Sequence, residues 1–138
     1  MYYINLTMKN NLFKVIEYTY YFSLIFFFII YLFPGSIIGY LLYGSLWQQP
    51  NLINNPFGTA INHLFFFSFI TLLITIIRSK VKNILTSYKF ILLTSFFLEI
   101  FHLVVPNRAF ELYDLIANLV GVVLVLFINQ FLKWQKYF

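Results

Sequence analysis

Four apolar runs, at residues 15–33, 61–77, 90–105 and 115–132, alternate with stretches that hold all of the chain's Lys, Arg and Pro residues. Each run is close to the ~20 residues that a helix needs to cross a hydrocarbon core about 30 Å thick. Lipid offers no partner to a backbone N–H or C=O, so such runs must satisfy their own hydrogen bonds as helices. A spanning strand needs only about 9 to 11 residues and would alternate in polarity along its length. The pattern therefore predicts an all-α fold, a four-transmembrane-helix bundle formed by one domain over residues 1–138. The third and fourth helices meet at Pro106-Asn107-Arg108. Proline bars helix continuation and holds the residue before it extended, which predicts a tight hairpin.

The basic residues give this bundle an orientation. Lys9 and Lys14 precede the first run, Arg78, Lys80, Lys82 and Lys89 lie between the second and third, and Lys133 and Lys136 follow the fourth. Only Arg108 falls on the opposite side. By the positive-inside rule both termini are cytoplasmic, and residues 34–60 and the turn at 106–114 face outward. The basic start followed by an apolar stretch resembles a signal peptide, but no small-x-small cleavage site follows Phe33, so the first helix is expected to stay in the mature protein. The outer loop opens with residues 35–47, which are too apolar for free solution. Tyr40, Tyr43 and Trp47 suit the headgroup level, and this segment is expected to lie in the membrane interface.

Composition supports the membrane assignment. With 62% hydrophobic and only 9% charged residues, and a mean hydropathy of +0.84, the chain has no polar coat for a soluble domain. The net charge of +5 is explained by the flanks of the apolar runs and forms no dense basic stripe of the kind that binds nucleic acid. Cysteine is absent, which excludes disulfides, thiolate nucleophiles and cysteine metal sites. Chemistry is left to carboxylates, histidine, arginine and amides.

Those groups collect at one end of the bundle. Asn62 and His63 begin the second helix, Glu99 and His102 end the third on one helical face, and Asp114 and Asn118 begin the fourth. An ionised acid at membrane depth costs on the order of 2.5 to 3.5 kcal/mol, so Glu99 needs a partner or a proton. The fork of Arg108 is expected to bind Glu99 or Asp114, leaving the other acid for His102 or His63. Asp114 also gains from the dipole of the helix it begins. Ala117 and Gly121 would let the fourth helix approach a neighbour closely.

At these positions the chain resembles the VanZ-like membrane proteins, a family named for a teicoplanin-resistance accessory protein. The residues that carry the resemblance are Glu99, His102, Pro106, Arg108, Phe110, Asp114, Asn118 and Gly121, with His63 opening the second helix. His102 stands where the family usually has Gln, Asn62 where a Lys is common, and Val125 where a further Gly is common. The resemblance covers the C-terminal third directly. It implies a small, multi-pass protein of the cell envelope in the plasma (bacterial inner) membrane, and it implies no defined reaction.

Three functional readings follow. In the first, the protein is non-enzymatic and Glu99, Arg108, Asp114 and Asn118 form a structural clasp, so that neutralising Glu99 and Arg108 together should recover stability lost on removing Arg108 alone. In the second, Arg108 with His63 or His102 binds an outer-leaflet lipid headgroup or a cell-wall precursor. In the third, Glu99 and His102 act as acid and base, or His63, His102 and a carboxylate hold a metal. The single Glu-x-x-His pair falls short of a di-metal bundle site. The main reading therefore assigns no catalytic residue, metal or cofactor. An alternative reading makes the chain an accessory subunit of a larger membrane-protein complex. The expected partners are the lipid bilayer, an outer-leaflet lipid or cell-wall precursor, and a membrane protein or a second copy of the chain, with no nucleic acid.

Overall fold

The computed structural model describes residues 2–50 and 58–135, with side chains from residue 8 onward. Lys136 and part of the outer loop lie outside the described residues. Five helices and no strand are found among the described residues: α1 (Tyr2–Leu32), α2 (Ile37–Tyr43), α3 (Ala60–Ile77), α4 (Tyr88–Phe101) and α5 (Leu112–Trp134). Three of them carry stretches long and apolar enough to cross a membrane, namely Met8–Leu32 of α1, α3 and α5.

The four long elements run up and down. Tyr31 at the end of α1 meets His63 near the start of α3, while Lys80 just past α3 reaches back to Asn10. Along α5, Asp114, Asn118 and Gly121 meet Thr59, His63 and Ser68 in the same order, so α3 and α5 are parallel. This pairing is the most extensive in the fold. Gly121 makes it possible: a Cβ there would stand 2.6 Å from the Leu64 carbonyl oxygen and 3.1 Å from the Ser68 nitrogen. No side chain larger than hydrogen fits between two backbones at that separation.

The core is a single apolar column. Tyr20, Leu24, Phe27 and Tyr31 recur at helical spacing on one face of α1 and pack with Phe67, Ile70, Ile74 and Ile77 of α3, Ile91 and Leu98 of α4 and Val122 of α5. The Phe27 ring stacks on Phe66 at 4.1 Å and meets Phe67 edge-on at 5.1 Å. The opposite faces are also apolar, with Phe22, Ile25, Phe26 and Ile29 of α1 and Val123, Leu124 and Phe127 of α5 exposed. A bundle apolar outside as well as inside suits lipid as its solvent.

Three boundaries differ from the sequence reading. The first helix begins at Tyr2 instead of residue 15, because nothing before Pro34 breaks it: there is no Gly or Pro in residues 1–33. The apolar run marked the part that suits lipid, which is shorter than the helix. The last helix extends beyond 115–132 at both ends, placing Asp114 inside its first turn. The third apolar run, 90–105, becomes a helix of 14 residues ending at Phe101. That helix rises only about 21 Å. Its last turn tightens, with the amides of His102, Leu103 and Val104 bonding back three residues, and the ring of Pro106 would clash with the carbonyl of residue 102 in a continued helix. The chain then reverses through a turn in which the Arg108 amide bonds the Val105 carbonyl at 3.3 Å and Asn107 takes a φ of 59°. Proline followed by a left-handed Asn is the type II pattern.

The apolar start of the outer loop is itself ordered. Ser36 caps α2 by accepting from the Gly39 amide at 2.9 Å, and Gly44 closes it with a φ of 67°. The Ser36 amide bonds the Leu46 carbonyl at 2.7 Å, folding the segment back on itself. Ile38, Tyr40, Leu41, Leu42, Tyr43 and Trp47 are left exposed, an aromatic and apolar surface suited to a membrane interface.

Candidate functional site

The end of the bundle where α1 and α4 stop and α3 and α5 start holds the fold's buried polar cluster. Glu99 and Asn118 are fully buried, and His102 and Asp114 nearly so. Four of the six side chains assigned to the cluster from sequence (His63, Glu99, His102, Asp114, Asn118 and Arg108) are thus in the interior, and His63 is 11% exposed at its edge.

Tyr31 is the hub, and it is a residue that sequence reasoning missed. Its hydroxyl donates to Glu99 Oε2 at 2.5 Å and accepts from Asn118 Nδ2 at 2.8 Å, with His63 Nδ1 at 3.0 Å. Its ring stacks on His102 at 4.6 Å and meets His63 edge-on at 5.3 Å. The available signal was its place on the Tyr20-Leu24-Phe27-Tyr31 stripe, which turns it inward; a tyrosine near a helix end reads by default as an interface ring.

The hydrogen bonds fix where protons must be. Asn118 Nδ2 also donates to the Ser95 carbonyl at 3.2 Å, which sets the amide's orientation and turns Oδ1 toward His63 Nδ1 at 3.1 Å. Nδ1 therefore carries the hydrogen, and the 3.2 Å contact between Nε2 and Asp114 Oδ2 needs a second one. The other pair obeys the same logic. His102 Nε2 faces the Tyr31 carbonyl at 3.0 Å and must donate, so the 3.2 Å contact between Nδ1 and Glu99 Oε1 also holds a proton. Each buried acid is thus joined to a histidine by a shared hydrogen.

Outer partners complete both acids. Glu99 Oε1 accepts from the Glu111 amide at 3.1 Å, which ties the end of α4 to the start of α5. Asp114 accepts from the Thr59 hydroxyl at 3.1 Å, which ties α5 to the N-cap of α3. Among the described residues, no buried side-chain nitrogen or oxygen lacks a partner.

Arg108 departs from expectation. It forms no ion pair with Glu99 or Asp114; its NH2 group donates to the Ile30 carbonyl at 3.0 Å and its Nε to the Phe33 carbonyl at 3.4 Å. The last carbonyls of α1 have no helical amide to accept and carry the negative end of the dipole, so a cation there satisfies both needs. The acids had no call on Arg108 because each already has a histidine. Burial draws the guanidinium below its ordinary value, opposed by the nearby negative groups, and it keeps its charge. Asn62 also points elsewhere, donating to the Pro50 carbonyl at 2.7 Å. Pro106 lies in the turn, and Gly121 lies where α3 and α5 approach closely.

For metal binding, His63, Glu99 and Asp114 each offer one ligand atom, all within 4.8 Å of one another. The expected trio of His63, His102 and a carboxylate is not brought together in this way, since His102 spends Nε2 on the Tyr31 carbonyl and Nδ1 on Glu99. No protein-family model, curated protein or solved structure matches this chain.

Proposed function

We propose that this chain is a non-enzymatic, VanZ-like protein of the cell envelope, a multi-pass bundle whose outer end is locked by a polar clasp. The observation that carries this reading is the completeness of the network: Tyr31, His63, Glu99, His102, Asp114 and Asn118 bring a side chain from each of α1, α3, α4 and α5 to one point, and every buried polar side-chain atom described there is partnered. A fully satisfied network in a low-dielectric interior rigidifies and specifies one packing. Arg108 adds a further tie, from the turn after α4 to the end of α1. The same tie competes with a headgroup-binding role for Arg108, since its Nε and one of its NH2 donors are already directed at backbone carbonyls.

In this reading α4 completes a fourth crossing together with the residues that flank it: Leu85 before it bonds Tyr20 of α1, Glu99 in its last turn bonds Tyr31, and the tightened turn after it carries the chain on to Pro106. Lys9, Lys14, Arg78, Lys80, Lys82, Lys89 and Lys133 then share the cytoplasmic end, and the clasp and α2 share the outer one. The cysteine-free sequence makes this testable by single-cysteine labelling in intact cells. A cysteine at Asn107 should react with an impermeant maleimide from outside, and one at Lys82 only after permeabilisation. The reverse pattern, or equal labelling of both, overturns the topology.

A further inference from the structure

We propose that His63, Glu99 and Asp114 form a binding site for one divalent transition-metal ion, with the clasp as its scaffold. The inference rests on the clasp reading in needing α3, α4 and α5 held together at this end, and it adds a ligand to it.

The geometry leads to this assignment. An ion at the centre of a triangle whose edges are no longer than 4.8 Å lies within about 2.8 Å of every corner, so each ligand reaches a bonding distance of about 2.0–2.2 Å by moving less than about 1 Å. The three ligands come from three different helices, so chelation closes the bundle without straining any one of them. Each is also held by a further hydrogen-bond partner. Asn118 holds His63 Nδ1 and turns Nε2 toward Asp114, His102 and the Glu111 amide hold Glu99 Oε1, and Thr59 holds Asp114. A histidine whose second nitrogen is fixed by an acceptor, and carboxylates fixed by donors, are the usual supports of a metal site. The Tyr31 hydroxyl, between Glu99 and His63, is placed as a further oxygen donor.

Charge and donor type select the ion. Among the described residues the two buried carboxylates have no cationic side chain bonded to them other than histidine, since Arg108 is directed to α1. A divalent ion takes the place of the hydrogen between His63 Nε2 and Asp114 Oδ2, while His102 keeps its bond to Glu99 Oε1. One imidazole with oxygen donors and no thiolate suits zinc, manganese or ferrous iron, and disfavours cuprous copper. Access is from the α3 side, where the His63 side chain is 11% exposed and Asp114 5%, against 0% for Glu99.

The test uses the full-length protein in detergent, stripped with chelator and then titrated with Zn²⁺, Co²⁺ and Mn²⁺. One ion per chain is expected, with pulsed-EPR coupling of Mn²⁺ to an imidazole nitrogen in the wild type. Affinity should fall by at least about tenfold in His63→Gln and Asp114→Asn. In His102→Gln the stoichiometry, the imidazole coupling and the Co²⁺ band positions should persist with weaker binding, as for a residue that orients a ligand. Absence of stoichiometric binding by the wild type, loss of the imidazole coupling in His102→Gln, or unchanged affinity in His63→Gln and Asp114→Asn overturns the proposal. The wild-type EPR measurement decides even if the ligand variants do not fold. Stability in the metal-free state reads the clasp separately: a clasp that fails leaves the variants as stable as wild type in chelator, whatever the metal result.

Discussion

Replacing Tyr31 with phenylalanine removes one oxygen atom and leaves the ring in place, stacked on His102 and packed against Phe27 and Phe67. The three contacts of that oxygen are not equally replaceable. Asn118 Nδ2 keeps the Ser95 carbonyl, and His63 Nδ1 keeps Asn118 Oδ1. Glu99 Oε2 has no other hydrogen-bond donor described, and its side chain is 0% exposed. An ordinary interhelical hydrogen bond in a membrane protein is worth about 0.6 kcal/mol and at most about 1.7. A bond to a charged group is worth about 1.5–3 kcal/mol, and stranding the acceptor costs its desolvation as well. The second effect governs here, which sets the expected loss at about 2 kcal/mol. Reversible unfolding in mixed micelles, followed by helical circular dichroism, measures it. Tyr20→Phe is the internal standard, because Tyr20 is as buried but its hydroxyl bonds the backbone carbonyl of Leu85, in an exposed connection that water can reach. Its loss should stay below about 1 kcal/mol. A Tyr31→Phe loss under about 0.5 kcal/mol, or one equal to that of Tyr20→Phe, would refute the reasoning.

Three further outcomes follow from the same contacts. Gly121→Ala drives a methyl group against the Leu64 carbonyl and should cost about 1–3 kcal/mol in the same unfolding assay, since two backbones must separate. Combining Arg108→Gln with Glu99→Gln should give a protein no more stable than the weaker single variant, because Arg108 bonds α1 carbonyls and not Glu99; recovery of stability in the double variant would reinstate an Arg108–Glu99 pair. Gly39→Ala places a Cβ 1.7 Å from the Gln48 carbonyl oxygen, so α2 should separate from the segment at Gln48 and shift Trp47 fluorescence while the bundle's melting point holds; a shared loss of both signals would show that α2 is part of the core fold.

The fold was most legible where one physical demand acted alone. Residues 61–77 were read as a helix and form one from Ala60 to Ile77, because lipid compatibility and helix length coincide there. They part company in α1, whose polar first turns are helical for want of a breaker, and in α4, where the apolar run continues through a turn fixed by Pro106. In the site, the spacing that puts Glu99 with His102 and Asp114 with Asn118 on common faces was readable from helical periodicity; in the structure Glu99 meets His102, and His63 meets both Asp114 and Asn118. The cross-chain pairings were less readable. Charge counting sends Arg108 to an acid, yet the acids are satisfied by histidines and the carbonyls ending α1 are the stronger claim on a nearby cation. Tyr31 lies far along the chain from every partner, and only the three-dimensional meeting of four helices turns its hydroxyl from an interface tip into the centre of the network.

The clasp is tested most directly by a double-mutant cycle between His63 and Asp114, the pair that joins α3 to α5 at 3.2 Å. Unfolding free energies of the wild type, His63→Gln, Asp114→Asn and the double variant, measured in chelator, give their coupling. A structural clasp predicts a coupling of about 1–3 kcal/mol, with each single variant destabilised. Additive effects within about 0.5 kcal/mol, or single variants as stable as wild type, would contradict it.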